Sequence, residues 1–130
     1  MLGVTLLTVP TVVYGGLVVL GALSGGSYGA PAPPGLSQSQ QSLYRAMHAH
    51  AGVLVILSLV LQLALDHVAF GPEFTWTLRI LAPLAAILVS GGFLTLAHRP
   101  ALRWILYAGA ASVAVSTLAT GVGLLLGLSA

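Results

Sequence analysis

Residues 44–68 read YRAMHAHAGVLVILSLVLQLALDHV. From Ala46 to Leu65 this stretch contains no Asp, Glu, Lys or Arg. Roughly 20 apolar residues carry a helix across the ~30 Å hydrocarbon core of a bilayer, so the stretch is a membrane span, from about Tyr44 to Val68. The rest of the chain agrees with it. Mean hydropathy is +1.04, 58% of the 130 residues are apolar and 5% are charged, against about 25% charged in ordinary globular domains. The formal charges are Arg45, Arg79, Arg99, Arg103, Asp66 and Glu73, with no lysine. A soluble fold of this size needs a charged shell that these residues cannot build.

Three further apolar runs fit the same reading: Leu2–Leu23, about 77–97 and about 102–128. The first, about 33 Å long as a helix, lacks a basic leader and a small residue before a cleavage point, so it is expected to be a retained span rather than a signal peptide. Residues 24–43 are rich in Gly, Pro, Ser and Gln and read as a loop, with a short interfacial helix in the second half. Gly71-Pro72 and Arg99-Pro100 break the chain between the later spans. Short connections make spans two, three and four antiparallel neighbours. The expected product is one integral membrane domain over residues 1–130, all-α, an up-down four-transmembrane-helix bundle. Trp76 and Trp104 fall at span ends, as interfacial aromatics do.

Arg45, Arg99 and Arg103 fall at one end of the bundle and Arg79 at the other, which predicts a cytoplasmic arginine-rich end with both termini outside. Gly15, Gly16, Gly21 and Gly25 in the first span, and Ser112, Ser116, Thr120, Gly123 and Gly127 in the fourth, are spaced for close helix packing. The partner of each stripe, within the chain or in another copy, is open at this stage.

Composition also removes function classes. Without cysteine there are no disulfides, thiolate metal sites or thiol nucleophiles. Two carboxylates leave little for a hard-cation site or an acid/base pair, and a handful of arginines is no footprint for nucleic acid. Histidine remains. Intramembrane ionisable residues are costly and mark function by default. At 100° per residue, His48 and His50 point about 200° apart and cannot share one ion on a regular helix. His48 shares a face with Gly52, Gln62 and Asp66, and is expected to look into the bundle. His50 shares an apolar stripe with Leu54, Leu57, Leu61, Leu65 and Val68, and is expected to face lipid, a second chain or a flat apolar cofactor. His98 closes span three at the same depth, where two histidines on neighbouring helices could clamp haem iron or hold copper or zinc. His48, His50 and His98 are therefore the candidate cofactor and metal ligands. Arg45 is a candidate for a propionate or a lipid phosphate. Asp66 and His67 read as a pair anchoring the far end of span two, and Glu73 and Arg79 as serving the following loop.

His48-Ala49-His50, followed by Gly52 at the head of a long apolar run, resembles the haem-binding helix of the haem–copper oxidase catalytic subunit. In that family the two histidines point to opposite sides and ligate different haems. The whole layout is similar to small bacterial four-helix membrane proteins that look like a fragment of that subunit. The resemblance implies a bacterial or archaeal cytoplasmic membrane and haem binding. It implies no oxygen reduction, since the chain has no further histidine trio for copper and no Tyr–His cross-link motif. The leading expectation is thus a haem- or metal-binding membrane protein used for electron transfer, gas sensing or haem handling, in a homo-oligomer or larger complex. The alternative is a non-catalytic accessory subunit of a respiratory-type membrane complex. Neither an enzyme nor a carrier is expected, for want of a nucleophile–base set or a mid-membrane carboxylate.

Overall fold

A computed structural model describes residues 1–24 and 35–126; the predicted small residues Gly25 and Gly127 lie outside them. Five α-helices form the four spans: α1 (Leu2–Leu7), α2 (Val9–Leu23), α3 (Gln38–Ala64), α4 (Pro72–His98) and α5 (Trp104–Leu125). Single 3-10 turns, Leu65–His67 and Pro100–Leu102, close the ends of the second span and open the fourth. Among the described residues, four helical stretches are long and apolar enough to cross a membrane. The protein is an integral membrane protein of all-α class.

The first span is two helices rather than one. Pro10 has no N–H to give to the Leu6 carbonyl and its ring crowds the preceding turn. The hydroxyls of Thr8 and Thr11 lean back onto the carbonyls of Thr5 and Thr8, each at 2.6 Å, and the helix restarts at Val9.

The second span begins earlier than expected. Ser37 Oγ accepts from the Gln40 N–H while Gln40 Oε1 accepts from the Ser37 N–H, a closed capping box. The predicted loop of residues 24–43 therefore ends at Ser37, and its second half is the first turn and a half of α3 rather than a separate interfacial helix. Gln40 Nε2 also donates to the Ala97 carbonyl at 3.1 Å, tying this start to the end of α4. Ser37→Ala should cost about 1 kcal/mol, read as a lower melting temperature in detergent with an unchanged helical spectrum. The third span likewise starts at Pro72, with Glu73 in the first turn, where Pro and acidic residues suit a helix N-terminus.

Helix α4 runs antiparallel to α3 and α5 and packs along both, while α1 and α2 lie mainly on α3. Contacts between Gln62 and Arg79, His50 and Phe93, and Tyr44 and His98 fix the α3–α4 register. Every span feeds the core: Leu54, Val55, Ala86 and Val89 are buried, with Val12, Leu57, Phe93, Leu106 and Val113 packed on them.

The small residues of α5 pack within the same chain, Gly109 against α4 and Gly123 against Val68 and Phe70 of the α3–α4 connection. A Cβ on Gly109 would lie 2.7 Å from the Val89 nitrogen, and one on Gly92 2.7 Å from the Leu106 Cα. The hydroxyls of Ser112, Ser116, Thr117 and Thr120 all donate to carbonyls of their own helix. They act by being small, and dispersion between closely spaced backbones holds the pair.

Pro83, inside α4, leaves the Arg79 carbonyl without its helical donor. Gln62, buried on α3, supplies the missing hydrogen: its Nε2 donates to that carbonyl at 2.7 Å. Arg79 Nη1 returns to Gln62 Oε1 at 3.3 Å, and Nη2 pairs with Asp66. The carboxylate expected to pair with His67 is thus bound to Arg79 across the interface, where a guanidinium can meet both a carboxylate and an amide oxygen.

Candidate functional site

The three candidate ligands at the arginine-rich end occupy separate surroundings. His98, the last residue of α4, is hydrogen-bonded through Nε2 to Tyr44 Oη at 2.9 Å, with the rings edge to face. His50 lies against Phe93, ring centroids 4.8 Å apart, and its Nδ1 is 2.8 Å from the Ala46 carbonyl. A carbonyl only accepts, so Nδ1 carries the hydrogen, and in the neutral ring Nε2 presents the lone pair. The ring remains exposed. Arg45 is exposed as well.

His48 leaves the other side of α3, as the 200° separation requires, and is half-buried against α2. Gly16 makes the room: a Cβ there would sit 2.6 Å from His48 Cε1. Among the described residues His48 has no hydrogen-bond partner. It therefore looks inward, as expected.

The apolar stripe below His50 does not face lipid. Leu54, Leu61, Leu65 and Val68 are buried in the bundle, and Leu57 packs on the core. In a bilayer both the protein interior and the surroundings are apolar, so an apolar stripe alone does not choose between them.

His48 opens onto a groove of about 400 Å³ between the first span, α3 and α4. Thr5, Thr8, Thr11, Val55, Pro83 and Ala86 are among its walls. Gly15 and Gly91 line it too, and a Cβ on either would meet nothing within 4 Å. These two glycines leave space, whereas Gly92 and Gly109 are filled by a neighbouring helix. Ser90 also lines the groove, and its Oγ is buried without a hydrogen-bond partner. No sequence argument singled out Ser90, whose Oγ is closed off from the groove.

Among the described residues no group of three or more His, Cys, Asp or Glu side chains could hold a metal ion. No protein-family model matches the chain, and no similar curated protein or solved structure was found.

Proposed function

We propose that the protein is a small integral membrane protein that holds haem through histidine at its arginine-rich end, with His50 as the ligand. The carrying observation is the His50 ring itself. Its Nδ1–H is committed to the Ala46 carbonyl, which leaves Nε2 as a lone-pair nitrogen on an exposed imidazole. Metal-ligating histidines almost always donate their second N–H in this way, which fixes the tautomer and raises ligand basicity. Phe93 holds the plane of the ring.

The donor set fits haem better than bare copper or zinc. A porphyrin supplies most of the coordination, so one or two protein ligands suffice, while a zinc site wants three or four. An exposed ligand also suits a second copy of the chain, whose equivalent histidine would complete an axial pair. Arg45, at the same end, would supply a guanidinium for a propionate. His48 and His98 complete the proposed histidine set, one facing the groove and one engaged by Tyr44. Such a site serves electron transfer, gas sensing or haem handling.

The test is a visible absorption spectrum of detergent-purified protein expressed with haem, oxidised and dithionite-reduced. A Soret band is expected, lost in His50→Ala and kept in His67→Ala. A colourless protein that takes up no added haem overturns the reading. Co-purification with large membrane partners would then make the chain a non-catalytic accessory subunit.

A further inference from the structure

The three arginines at one end of the bundle have no counter-charge within the chain. Arg45, Arg99 and Arg103 are exposed, and none of their guanidinium groups has a hydrogen-bond or ion-pair partner among the described residues. The acidic side chains of the sequence are Asp66 and Glu73. Both stand at the opposite end, Asp66 bound to Arg79 and Glu73 in the first turn of α4. Residues 99–103 fold through two successive 3-10 hydrogen bonds, from the Leu102 N–H to the Arg99 carbonyl at 3.0 Å and from the Arg103 N–H to the Pro100 carbonyl at 3.3 Å. At a rise of about 2 Å per residue, Arg99 and Arg103 stand about 8 Å apart along that turn. Two long side chains at that spacing can meet on one anion.

Beyond Arg103 the outer face of α5 changes character in steps. Tyr107, Ala111, Ala114 and Leu118 follow at intervals of three or four residues and so share one face; all four are exposed. The helix packs by its other side, where Gly109, Ser116, Thr120 and Gly123 are buried. Tyr107 lies four residues, about 6 Å, further into the span than Arg103. Trp104, 60% exposed, flanks the arginine. The face thus runs from guanidinium to phenol, then to a shallow strip at the two alanines, then to leucine.

We propose that this face binds one anionic phospholipid, with its phosphate between Arg99 and Arg103, a glycerol ester oxygen at the Tyr107 hydroxyl and an acyl chain along Ala111 and Ala114. A guanidinium pairs bidentately with phosphate. Tyrosine suits the interface below it, with the ring in hydrocarbon and the hydroxyl towards the headgroups. A zwitterionic lipid fits less well, because its ammonium group would meet two guanidiniums and no carboxylate. A second copy docked symmetrically through the same face would bring the two Arg103 charges together. Arg45 stands on α3, the other neighbour of α4. It stays available to a propionate, so the lipid does not depend on haem.

The experiment is native mass spectrometry of the full chain in detergent, with dioleoyl-phosphatidylglycerol or dioleoyl-phosphatidylcholine added. One retained phosphatidylglycerol per chain is expected, in preference to phosphatidylcholine. An arginine beside an anionic lipid surface is worth about 5-fold in binding. Arg99→Gln and Arg103→Gln should therefore each weaken retention about 5-fold, and the double variant about 25-fold. Ala111→Trp should also weaken it, by filling the strip without touching the charges. Arg45→Gln should change it by less than about 2-fold, since screening confines an exposed charge to its own surroundings. Thermal melts without added lipid show that each variant is folded. Equal retention of both lipids, or full retention by the double variant, would overturn the proposal. So would equal losses in Arg45→Gln and Arg103→Gln, the mark of diffuse attraction. Displacement by inorganic phosphate would make this a site for free anions, and a lipid-free dimer broken by Ala111→Trp would make it a contact between copies; either result also overturns it.

Discussion

Gly109→Ala and Gly121→Ala, the same exchange on the same helix, are expected to move stability in opposite directions. A methyl on Gly109 would lie 2.7 Å from the Val89 nitrogen and 2.9 Å from the Leu88 Cβ. Backbone atoms cannot turn aside, so α4 and α5 must separate along their contact. Overpacking of this kind costs typically about 1–3 kcal/mol and sometimes more. The loss propagates, because Gly92 presses on Leu106 in the same seam. A methyl on Gly121 would meet nothing within 4 Å. There only the helix propensity changes, a gain of up to about 1 kcal/mol. Unfolding in mixed micelles should therefore show Gly109→Ala destabilised by at least about 1 kcal/mol and Gly121→Ala equal to or above the parent. Equal melting of the two variants would mean that the α4–α5 contact is looser than the backbone geometry requires.

Gln62→Leu is the second large effect. The substitution keeps most of the volume but strands the Arg79 carbonyl that Pro83 has freed, and removes an acceptor from the Arg79 guanidinium. An unpaired buried carbonyl costs about 1–3 kcal/mol, and polar pairs between membrane helices have been worth up to about 1.7; a loss of about 1–2 kcal/mol is expected. The mechanism has its own control. In Pro83→Ala the new N–H returns to the Arg79 carbonyl, so Gln62→Leu should cost markedly less in that background. The coupling in this double-mutant cycle isolates the proline–glutamine relation from the burial of Gln62. Additive costs would show that Gln62 matters for packing alone.

The spans were legible because composition decides them: residues 46–65 carry no Asp, Glu, Lys or Arg. The start of α3 was not, because Ser37-Gln38-Ser39-Gln40 has loop composition. Its capping box depends on reciprocal hydrogen bonds, although the Ser-x-x-Gln spacing was there to be read. The divergence of His48 and His50 followed from helical geometry alone. The surroundings of each histidine did not, since Gly16, Phe93 and Tyr44 reach them only through packing between spans. Pro83 in an apolar run was a usable signal that residue 79 would need an outside donor, and Gln62 is the amide within the span that could provide one. His50 is exposed, as expected, but the leucines that share its face are buried, because in a membrane leucine is equally at home against lipid and against leucine.

The first span is the least tightly held. In its most apolar stretch 11% of residues are buried, against 28% for the second and third spans and 22% for the fourth. The groove lies along the joint between this span and the more closely packed rest of the bundle. An occupant would touch both sides, so its affinity and the docking of the first span are reciprocally linked. Undocking the first span should weaken an occupant's affinity by the same factor by which the occupant tightens the docking. A chain divided between residues 24 and 35 offers a direct gauge: an occupant of the groove would act as the adhesive that returns the separated helix to its place.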